Sequence, residues 1–552
     1  MLPTPHYSLS RRYPLYWIVP LLTFVLLTSF LSQQLKAAPA VQTNPDQPKP
    51  NAIQQVLYFN SAAQDDDACT LVLNDNGSLG FGDGVTNPAM TCPDAFAWKL
   101  FIDALDEEFW ANWAADNYTW PANPLPMCPA NAPAGSPCCR LDSLTNPGYD
   151  NPNDPATSCP YYPGDHLDAG EEPISPKAQP LSKAHAHAFS LPASEVAADP
   201  GRAIRQEMAE LVFRNKPMFD YVFSNNLYHR DGLGELFQRN SAAMTSSAPY
   251  RQRNTADALT TIDFPVGAVM IKSNWLSVER AEALGLADDP ANPYISMEID
   301  AAVLDNNAPD DQFEPGLYYL VSFHVSSKDI PNWVWATFEH VNNPGRCDYT
   351  GCNDSFGYSS PDVVSAGDYT NFTAPNMITD GLVIASPIFA TGGAYAGGER
   401  SDALQTLFAQ LDIGGADQPD PTLPSVESRG WLSYRLKGSQ VNFTDSTGRS
   451  IILGNSVTEG GFVSTSSCMS CHARAAVNAQ GNPPLGVFIA QLSEIGYGQS
   501  ANNVPDPDWY YASSNHPSLL ALQTDFVWGF LAANPMTTTV STGVSTENLK
   551  TD

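Results

Sequence analysis

The segment Phe264-Pro265-Val266-Gly267-Ala268-Val269-Met270-Ile271-Lys272 marks the place where this sequence becomes strand-like. A Pro-x-Gly turn signal precedes a run of apolar and β-branched residues, which is typical of a β-strand. Leu317 to Val325 and Trp333 to His340 have the same character. The chain from about residue 260 is therefore predicted to be rich in strands.

Further elements are predicted on both sides of these strands. Leu432 to Phe443 and Ile451 to Leu453 predict a hairpin that turns at Asp445-Ser446-Thr447-Gly448. Apolar residues at helical spacing predict three helices: Pro93 to Ala114, Arg202 to Arg214 and Ser518 to Ala533. The 37 Gly and 47 Pro favour short elements and plentiful loops. The predicted fold class is α+β, strand-rich, with flanking helices.

The composition is strongly acidic. The 552 residues include 59 Asp and Glu against 27 Lys and Arg, which gives a formal net charge of −32 at pH 7. Such a surface repels nucleic acid and anionic lipid, so nucleic-acid binding is excluded. It favours a basic partner protein and also serves solubility in general.

The first 40 residues have the features of a targeting segment. Arg11 and Arg12 precede an apolar run from about Leu15 to Leu31, and Ala38-Pro39-Ala40 suits signal peptidase. Residues 1–40 are therefore predicted to be a signal peptide. An uncleaved anchor is the alternative, because about 17 apolar residues almost span a bilayer. Only in that case would the chain be held at a membrane.

The cysteine count fits export. Besides Cys468 and Cys471, which belong to the motif discussed next, the chain contains Cys69, Cys92, Cys128, Cys138, Cys139, Cys159, Cys347 and Cys352. An even number in an exported chain predicts four disulfides. Cys347 and Cys352 flank four residues and are predicted to bridge one turn. The six upstream cysteines allow fifteen pairings, although adjacent Cys138 and Cys139 cannot easily bond each other.

Cys468-Met469-Ser470-Cys471-His472 is a complete C-x-x-C-H sequence. Two thiols three residues apart share one face of a helical turn, where both can add to the vinyl groups of haem. The imidazole that follows can then reach the iron. The motif predicts one covalently bound haem c, held by Cys468 and Cys471, with His472 as the proximal iron ligand. A zinc site or a thioredoxin-type site would need further ligands or a βαβ unit nearby, and the sequence offers neither.

The ligand on the other side of the iron is left open by the sequence. Met536 is the only methionine after His472, and it follows the last predicted helix. His324 and His340 stand on predicted strands, and His516 stands in a loop. A histidine on a strand is more often structural than a metal ligand, so none of these residues is preferred.

The order of short motifs from residue 264 onward carries a resemblance. The motifs are Phe264-Pro265-x-Gly267, Ile271-Lys272-x-x-Trp275, Phe323-His324-x-x-x-Lys328-Asp329, Trp333-x-Trp335-x-x-Phe338, Cys468-x-x-Cys471-His472-Ala473 and Thr524-Asp525-Phe526-Val527-Trp528. They resemble the β-sheet cytochromes c, which comprise hydroxylamine-oxidising cytochromes with a lysine-cross-linked haem and gas-binding relatives of the c-prime-beta type. The chain also resembles large exported proteins of the cytochrome c family. The resemblance covers about half of the chain.

The resemblance implies a haem packed on an antiparallel β-sheet, with five-coordinate iron and an open distal site. In those relatives a strand lysine bonds the haem, and Lys272 is the best match, with Lys328 second. The ordinary alternative for both is a solvated side chain.

Four regions are predicted: a signal peptide or anchor at 1–40, a Cys- and Pro-rich region with a linker at 41–200, a β-rich domain at 201–455, and the haem-attachment segment with a C-terminal helix at 456–552. Together these features predict a bacterial c-type cytochrome exported to the periplasm. Three functions stay open: electron transfer to a redox partner, a haem oxidoreductase acting on a small nitrogen or oxygen species, and gas binding without turnover.

Overall fold

The computed structural model of the protein describes residues 69–141, 145–147, 158–165, 179–180, 204–205, 208–246, 254, 259–286, 288–299, 315–343, 354–357, 400–416, 423–444, 451, 453–460, 466–485, 505–512 and 518–536. All of them belong to one compact unit. The predicted signal segment, His516 and the predicted bridge between Cys347 and Cys352 lie outside the described residues. No helix in the described part of the chain is long and apolar enough to cross a membrane.

The described strands are mostly short, and the two longest lie near the centre of the chain. They are β1 Leu71–Leu73, β2 Leu79–Phe81, β3 Ala114–Ala115, β4 Gln179–Pro180, β5 Ala209–Arg214, β6 Val269–Ser277, β7 Ser296–Ile299, β8 Gly316–Ser327, β9 Val334–His340, β10 Tyr434–Gln440, β11 Ala476–Val477, β12 Tyr511–Ala512, β13 Ser518–Leu519 and β14 Leu522–Gln523.

The described helices are α1 Pro88–Thr91, α2 Pro93–Asp106, α3 Phe109–Asn112, α4 Asp116–Thr119, α5 Lys216–Ser224, α6 Arg230–Ser246, α7 Val278–Ala283, α8 Asp402–Gln410 and α9 Cys468–His472. Short 3-10 turns stand at Pro163–Asp165, Arg429–Ser433, Pro507–Trp509 and Trp528–Ala532.

Eight of the described strands form one antiparallel sheet in the order β10-β9-β8-β6-β5-β3, with β4 also on β5 and β7 also on β8. The strands predicted at 264–272, 317–325 and 333–340 are confirmed as β6, β8 and β9. Strand β6 begins only at Val269, because the Pro-x-Gly signal forms a turn in which Gly267 has φ +83° and Ala268 donates to the Pro265 carbonyl. The broad α+β class is confirmed.

One face of the sheet is apolar and is covered by α2. The Phe101 ring centroid lies 5.2 Å from that of Phe323 and 5.1 Å from that of Phe338, and Trp98 lies 5.0 Å from Phe338. Side chains alternate along a strand, so these aromatic residues share one face while their neighbours point to the other. Burial of each ring contributes about 1.5–3 kcal/mol. The predicted helix at 93–114 is confirmed as far as Asp106, where a residue with positive φ, Glu108, interrupts it.

Disulfides cross-link the Cys-rich region. The pairs are Cys69–Cys92, Cys128–Cys138 and Cys139–Cys159. The expectation that adjacent Cys138 and Cys139 bond different partners is confirmed. Helix α2 and strand β3 come from this same region and pack on or extend the main sheet.

The helix predicted from Arg202 to Arg214 is wrong in its second half. Residues Ala209–Arg214 form β5, which pairs with β6 along its whole length. Ala209, Leu211 and Phe213 are buried in the main core. The short segment fits both a helical and a two-residue period, and pairing with the sheet decides between them.

The C-terminal helix predicted from Ser518 to Ala533 is also wrong. The segment forms β13, β14, a turn and the 3-10 turn Trp528–Ala532. Positive φ at Asp525 and Phe526 cannot continue an α-helix. The predicted hairpin is only partly seen: β10 pairs with β9, the turn residues 445–450 lie outside the described chain, and Ile451 donates to the Phe443 carbonyl at 3.0 Å.

Candidate functional site

Helix α9 presents the C-x-x-C-H sequence on a short turn anchored to the sheet. Ser467 caps the helix, its Oγ accepting from the Ser470 amide at 3.4 Å. Gln440, the last residue of β10, donates from Nε2 to Ser467 Oγ at 3.0 Å and accepts from the Met469 amide at 3.3 Å. Met469 is fully buried. The intervening residues of the motif thus fix its orientation, and both cysteines remain partly accessible.

Neither Cys468 nor Cys471 takes part in a disulfide, whereas every other cysteine in the described ranges does. Oxidising compartments normally pair exposed thiols. Two thiols kept apart on one helical turn are a donor set suited to thioether bonds with a single planar group.

His472 is held in one tautomer. Its Nδ1 lies 2.8 Å from the carbonyl oxygen of Phe526, which can only accept, so the proton is on Nδ1. The pKa of His472 is lowered to about 3, chiefly by burial, and the imidazole is therefore neutral. The ring of Trp335 packs against it with centroids 4.3 Å apart. Nε2 consequently carries the lone pair, which is the state in which histidine binds a metal.

The sheet face on the side of Trp335 is polar and buried. The register aligns Lys272 with His324 and His324 with Thr337. The same face carries Asn274, Ser322 and Glu339, all fully buried. The residues of this polar face are Glu210, Lys272, Asn274, Ser322, His324, Thr337 and Glu339.

The segment 453–460, which precedes the motif, covers the polar face. Asn455 donates to Thr337 Oγ1 at 3.0 Å, and Thr458 donates to Asn274 Oδ1 at 2.9 Å. The buried Nδ2 of Asn274 has no hydrogen-bond partner among the described residues. Buried polar atoms in a protein core nearly always have a hydrogen-bond partner. A buried amide nitrogen without one is typical of a face that contacts a further group.

Four charged or chargeable side chains lie together beside the motif: Glu210, Lys272, His324 and Glu459. Lys272 Nζ is 3.0 Å from Glu210 Oε2, and His324 Nε2 is 3.4 Å from Glu459 Oε1. We call these residues the charged quartet. They are partly or largely buried, so their charges interact strongly.

Within the quartet the charged forms of Lys272 and Glu459 are favoured despite burial. Burial would lower the pKa of Lys272, but the carboxylates of Glu210 and Glu459 outweigh it and raise that pKa. Burial would likewise raise the pKa of Glu459, but His324 and Lys272 hold it below its usual value. Burial raises the pKa of the Cys471 thiol, against opposing effects of Arg474 and Lys272. Lys272 is therefore electrostatically coupled to the motif.

The other residues predicted from the sequence make contacts outside the quartet. His340 is on the opposite, apolar face, where its ring stacks on Tyr294 at 3.7 Å. The Met536 amide donates to Asp231 Oδ2 at the start of α6. Lys328 forms an ion pair with Asp525 rather than joining the quartet. The structure thus brings Lys272 and His324 to the side of His472, and it separates His340 from it.

Two functional features had no usable sequence signal. Glu459 and Glu210 stand in no motif, and only the folded sheet brings them to Lys272 and His324. The carbonyl of Phe526 acts through the backbone, which a residue type does not reveal. No cluster of three or more His, Cys, Asp or Glu side chains able to hold a metal ion directly is present in the described chain.

No known protein family matches this sequence, and no characterised protein or solved structure is significantly similar to it. Functional assignment therefore depends on the chemistry of the motif and its surroundings.

Proposed function

We propose that this protein is a periplasmic mono-haem c-type cytochrome, with thioether bonds at Cys468 and Cys471 and iron ligation through Nε2 of His472. The observation that carries the proposal is the 2.8 Å hydrogen bond from His472 Nδ1 to the Phe526 carbonyl. This bond fixes a neutral imidazole with its lone pair on Nε2, beside two cysteines that are kept out of disulfides. Haem-binding histidines need that arrangement. When bound, the haem supplies a redox-active iron.

The function supported best is electron transfer to a soluble partner. A net charge of −32 favours a basic redox protein, and association should slow as ionic strength rises. Export to the periplasm is part of this proposal; it is supported by the signal-like segment and by three disulfides in the described chain.

Haem attachment is tested by producing the full chain in a bacterial host that matures c-type cytochromes. Acid-acetone extraction should leave the colour on the protein, and the pyridine haemochrome should give one haem per chain. Cys471→Ala should reduce covalent haem strongly. Ser470→Ala, which keeps both thiols and the histidine, is the matched control and should retain it. Colour that extracts fully from the unaltered protein would refute the proposal.

A second function, catalysis on a small nitrogen or oxygen species at the iron, is favoured by the charged quartet. Buried acid and base groups beside a cofactor are costly to maintain and are concentrated at sites of proton transfer. Lys272 and His324 can donate protons, and Glu459 and Glu210 can accept them. Gas binding without turnover would use the same site.

Spectra separate these functions. A ferrous protein whose visible spectrum changes on addition of carbon monoxide has an open iron site, whereas a low-spin protein that ignores carbon monoxide has a sixth protein ligand. In the second case His324→Ala or Met536→Ala identifies the ligand and supports electron transfer. With an open site, turnover of hydroxylamine or peroxide distinguishes an enzyme from a gas-binding protein, and Glu459→Gln should slow that turnover.

A further inference from the structure

The carbonyl that accepts the His472 proton belongs to a strained turn. The Val527 amide donates to the Thr524 carbonyl at 3.0 Å and closes four residues. The two central residues have positive φ, +49° at Asp525 and +68° at Phe526. This is the pattern of a type I′ turn, which is normally built from Asn and Gly. A bulky residue such as Phe disfavours it, so contacts outside the turn must hold it in place.

Those contacts converge on the carboxylate of Asp525. It accepts hydrogen bonds from Lys328 Nζ at 2.6 Å, from the Phe264 amide at 2.8 Å and from Trp333 Nε1 at 3.3 Å. The side chains of Lys328 and Asp525 are only 8% and 7% exposed. Both groups are sheltered from water and make further hydrogen bonds, so their geometry is fixed. Lys328 also donates to the Pro331 carbonyl at 3.2 Å, which ties the turn to the loop after β8.

We propose that Lys328 and Asp525 are positioning residues that hold the Phe526 carbonyl against His472 Nδ1 and thereby set the reduction potential of the haem. The inference rests on the proposed function. A well-placed acceptor at Nδ1 increases the basicity of a histidine ligand, and a more basic ligand favours ferric iron. Loosening the turn weakens that acceptor, so the potential should rise.

The test uses the full, haem-loaded chain. Lys328→Met should raise the reduction potential and speed the solvent exchange of the His472 Nδ1 proton, followed by NMR. Lys328→Arg, which keeps the cation, should restore both values. The matched control is Lys216→Met: Lys216 is a more exposed lysine paired with Asp165 and Asp220, and its loss should change neither readout.

A double-mutant comparison separates positioning from general stability. Glycine adopts a positive φ without strain, so the turn in Phe526→Gly should keep its conformation without the Lys328–Asp525 ion pair. In that background Lys328→Met should shift the reduction potential by less than half as much as it does in the otherwise unaltered protein. Lys328→Met and Asp525→Asn change the local charge in opposite directions, so a rise in potential in both variants identifies loosening of the turn, whereas shifts of opposite sign would show a charge effect and overturn the inference. If Lys328→Met does not load haem, Asp525→Asn is measured with proton exchange as the deciding readout.

Haem-loaded Lys328→Met or Asp525→Asn with unaltered potential and unaltered proton exchange would overturn this inference and leave the cytochrome proposal intact. An unaltered chain that carries no covalent haem would instead refute the proposed function, and this inference with it.

Discussion

The ammonium of Lys437 lies 3.2 Å from Oε1 of Glu339, and neither side chain is exposed to solvent. Glu339 also accepts a hydrogen bond from the Ser456 amide at 2.6 Å. The pair therefore joins β9 and β10 to the segment that precedes the C-x-x-C-H motif. Moving two ions out of water costs several kcal/mol each, so the pair tolerates loss of both charges better than loss of one.

Lys437→Met should therefore lower the free energy of unfolding by about 3–5 kcal/mol, because it strands the charge of Glu339. The double variant Lys437→Met/Glu339→Gln should lose less than Lys437→Met alone. Urea denaturation at pH 7 measures both. Glu339→Gln alone is measured as well, and simple addition of the two single-variant losses in the double variant would show that the charges do not interact.

The three disulfides should stabilise the N-terminal region according to the loops they close. Cys69–Cys92 spans 23 residues and Cys128–Cys138 spans 10. Chain entropy then gives about 3.4 and about 2.7 kcal/mol, respectively. Replacement of each pair by alanine, followed by denaturation of the oxidised protein, should reproduce that order. Mass spectrometry after alkylation should find no modified cysteine among Cys69, Cys92, Cys128 and Cys138 in the unaltered protein.

A carboxyl pair at the start of α2 should make stability depend on pH. Ser355 donates from its amide to Asp94 at 2.9 Å, and Trp98 Nε1 donates to Asp354 at 2.9 Å. Burial, followed by the nearby charge of Asp94, raises the pKa of Asp354 to about 7. The folded chain thus keeps a proton that the unfolded chain releases near pH 4.

Stability should consequently fall as pH rises from about 4 to about 7, by at most about 1.4 kcal/mol per pH unit for this one proton. Asp354→Asn should remove this contribution to the pH dependence of the free energy of unfolding, measured by urea unfolding at pH 5 and pH 7. Asp402→Asn, an exposed carboxylate at the start of α8, is the control and should keep it. An unchanged slope in Asp354→Asn would mean that Asp354 is ionised throughout.

The sequence predicts those elements whose conformation is determined by residues close together in the chain. Strands β6, β8 and β9 carry their apolar pattern within a few residues, and the C-x-x-C-H motif is complete in five. The sequence of strand β5 is so short that its apolar residues fit both the period of a helix and the two-residue period of a strand. Only its pairing with β6 determines that it is a strand. The turn at Asp525 and Phe526 contains no Gly or Asn, so its conformation follows from Lys328, Phe264 and Trp333, all distant in sequence.

Lys272 is held in its charged form by acidic neighbours. The resemblance to β-sheet cytochromes implies a lysine bonded to haem, and a lysine must lose its proton before it can act as a nucleophile. Here Glu210 lies 3.0 Å from Lys272 Nζ and, with Glu459, raises the lysine pKa above its usual value. We therefore expect Lys272 to remain a protonated hydrogen-bond donor on the polar face.

Proteolysis of the loaded protein should then give a haem peptide with thioether bonds at Cys468 and Cys471 and no attached Lys272. Lys272→Met should still change the visible spectrum of the ferrous protein, because a charge coupled to the motif is removed. Lys216→Met, on the partly exposed helix α5, should leave that spectrum unchanged. Recovery of Lys272 on the haem peptide would establish the cross-link, and it would require Glu210 to release the lysine during maturation.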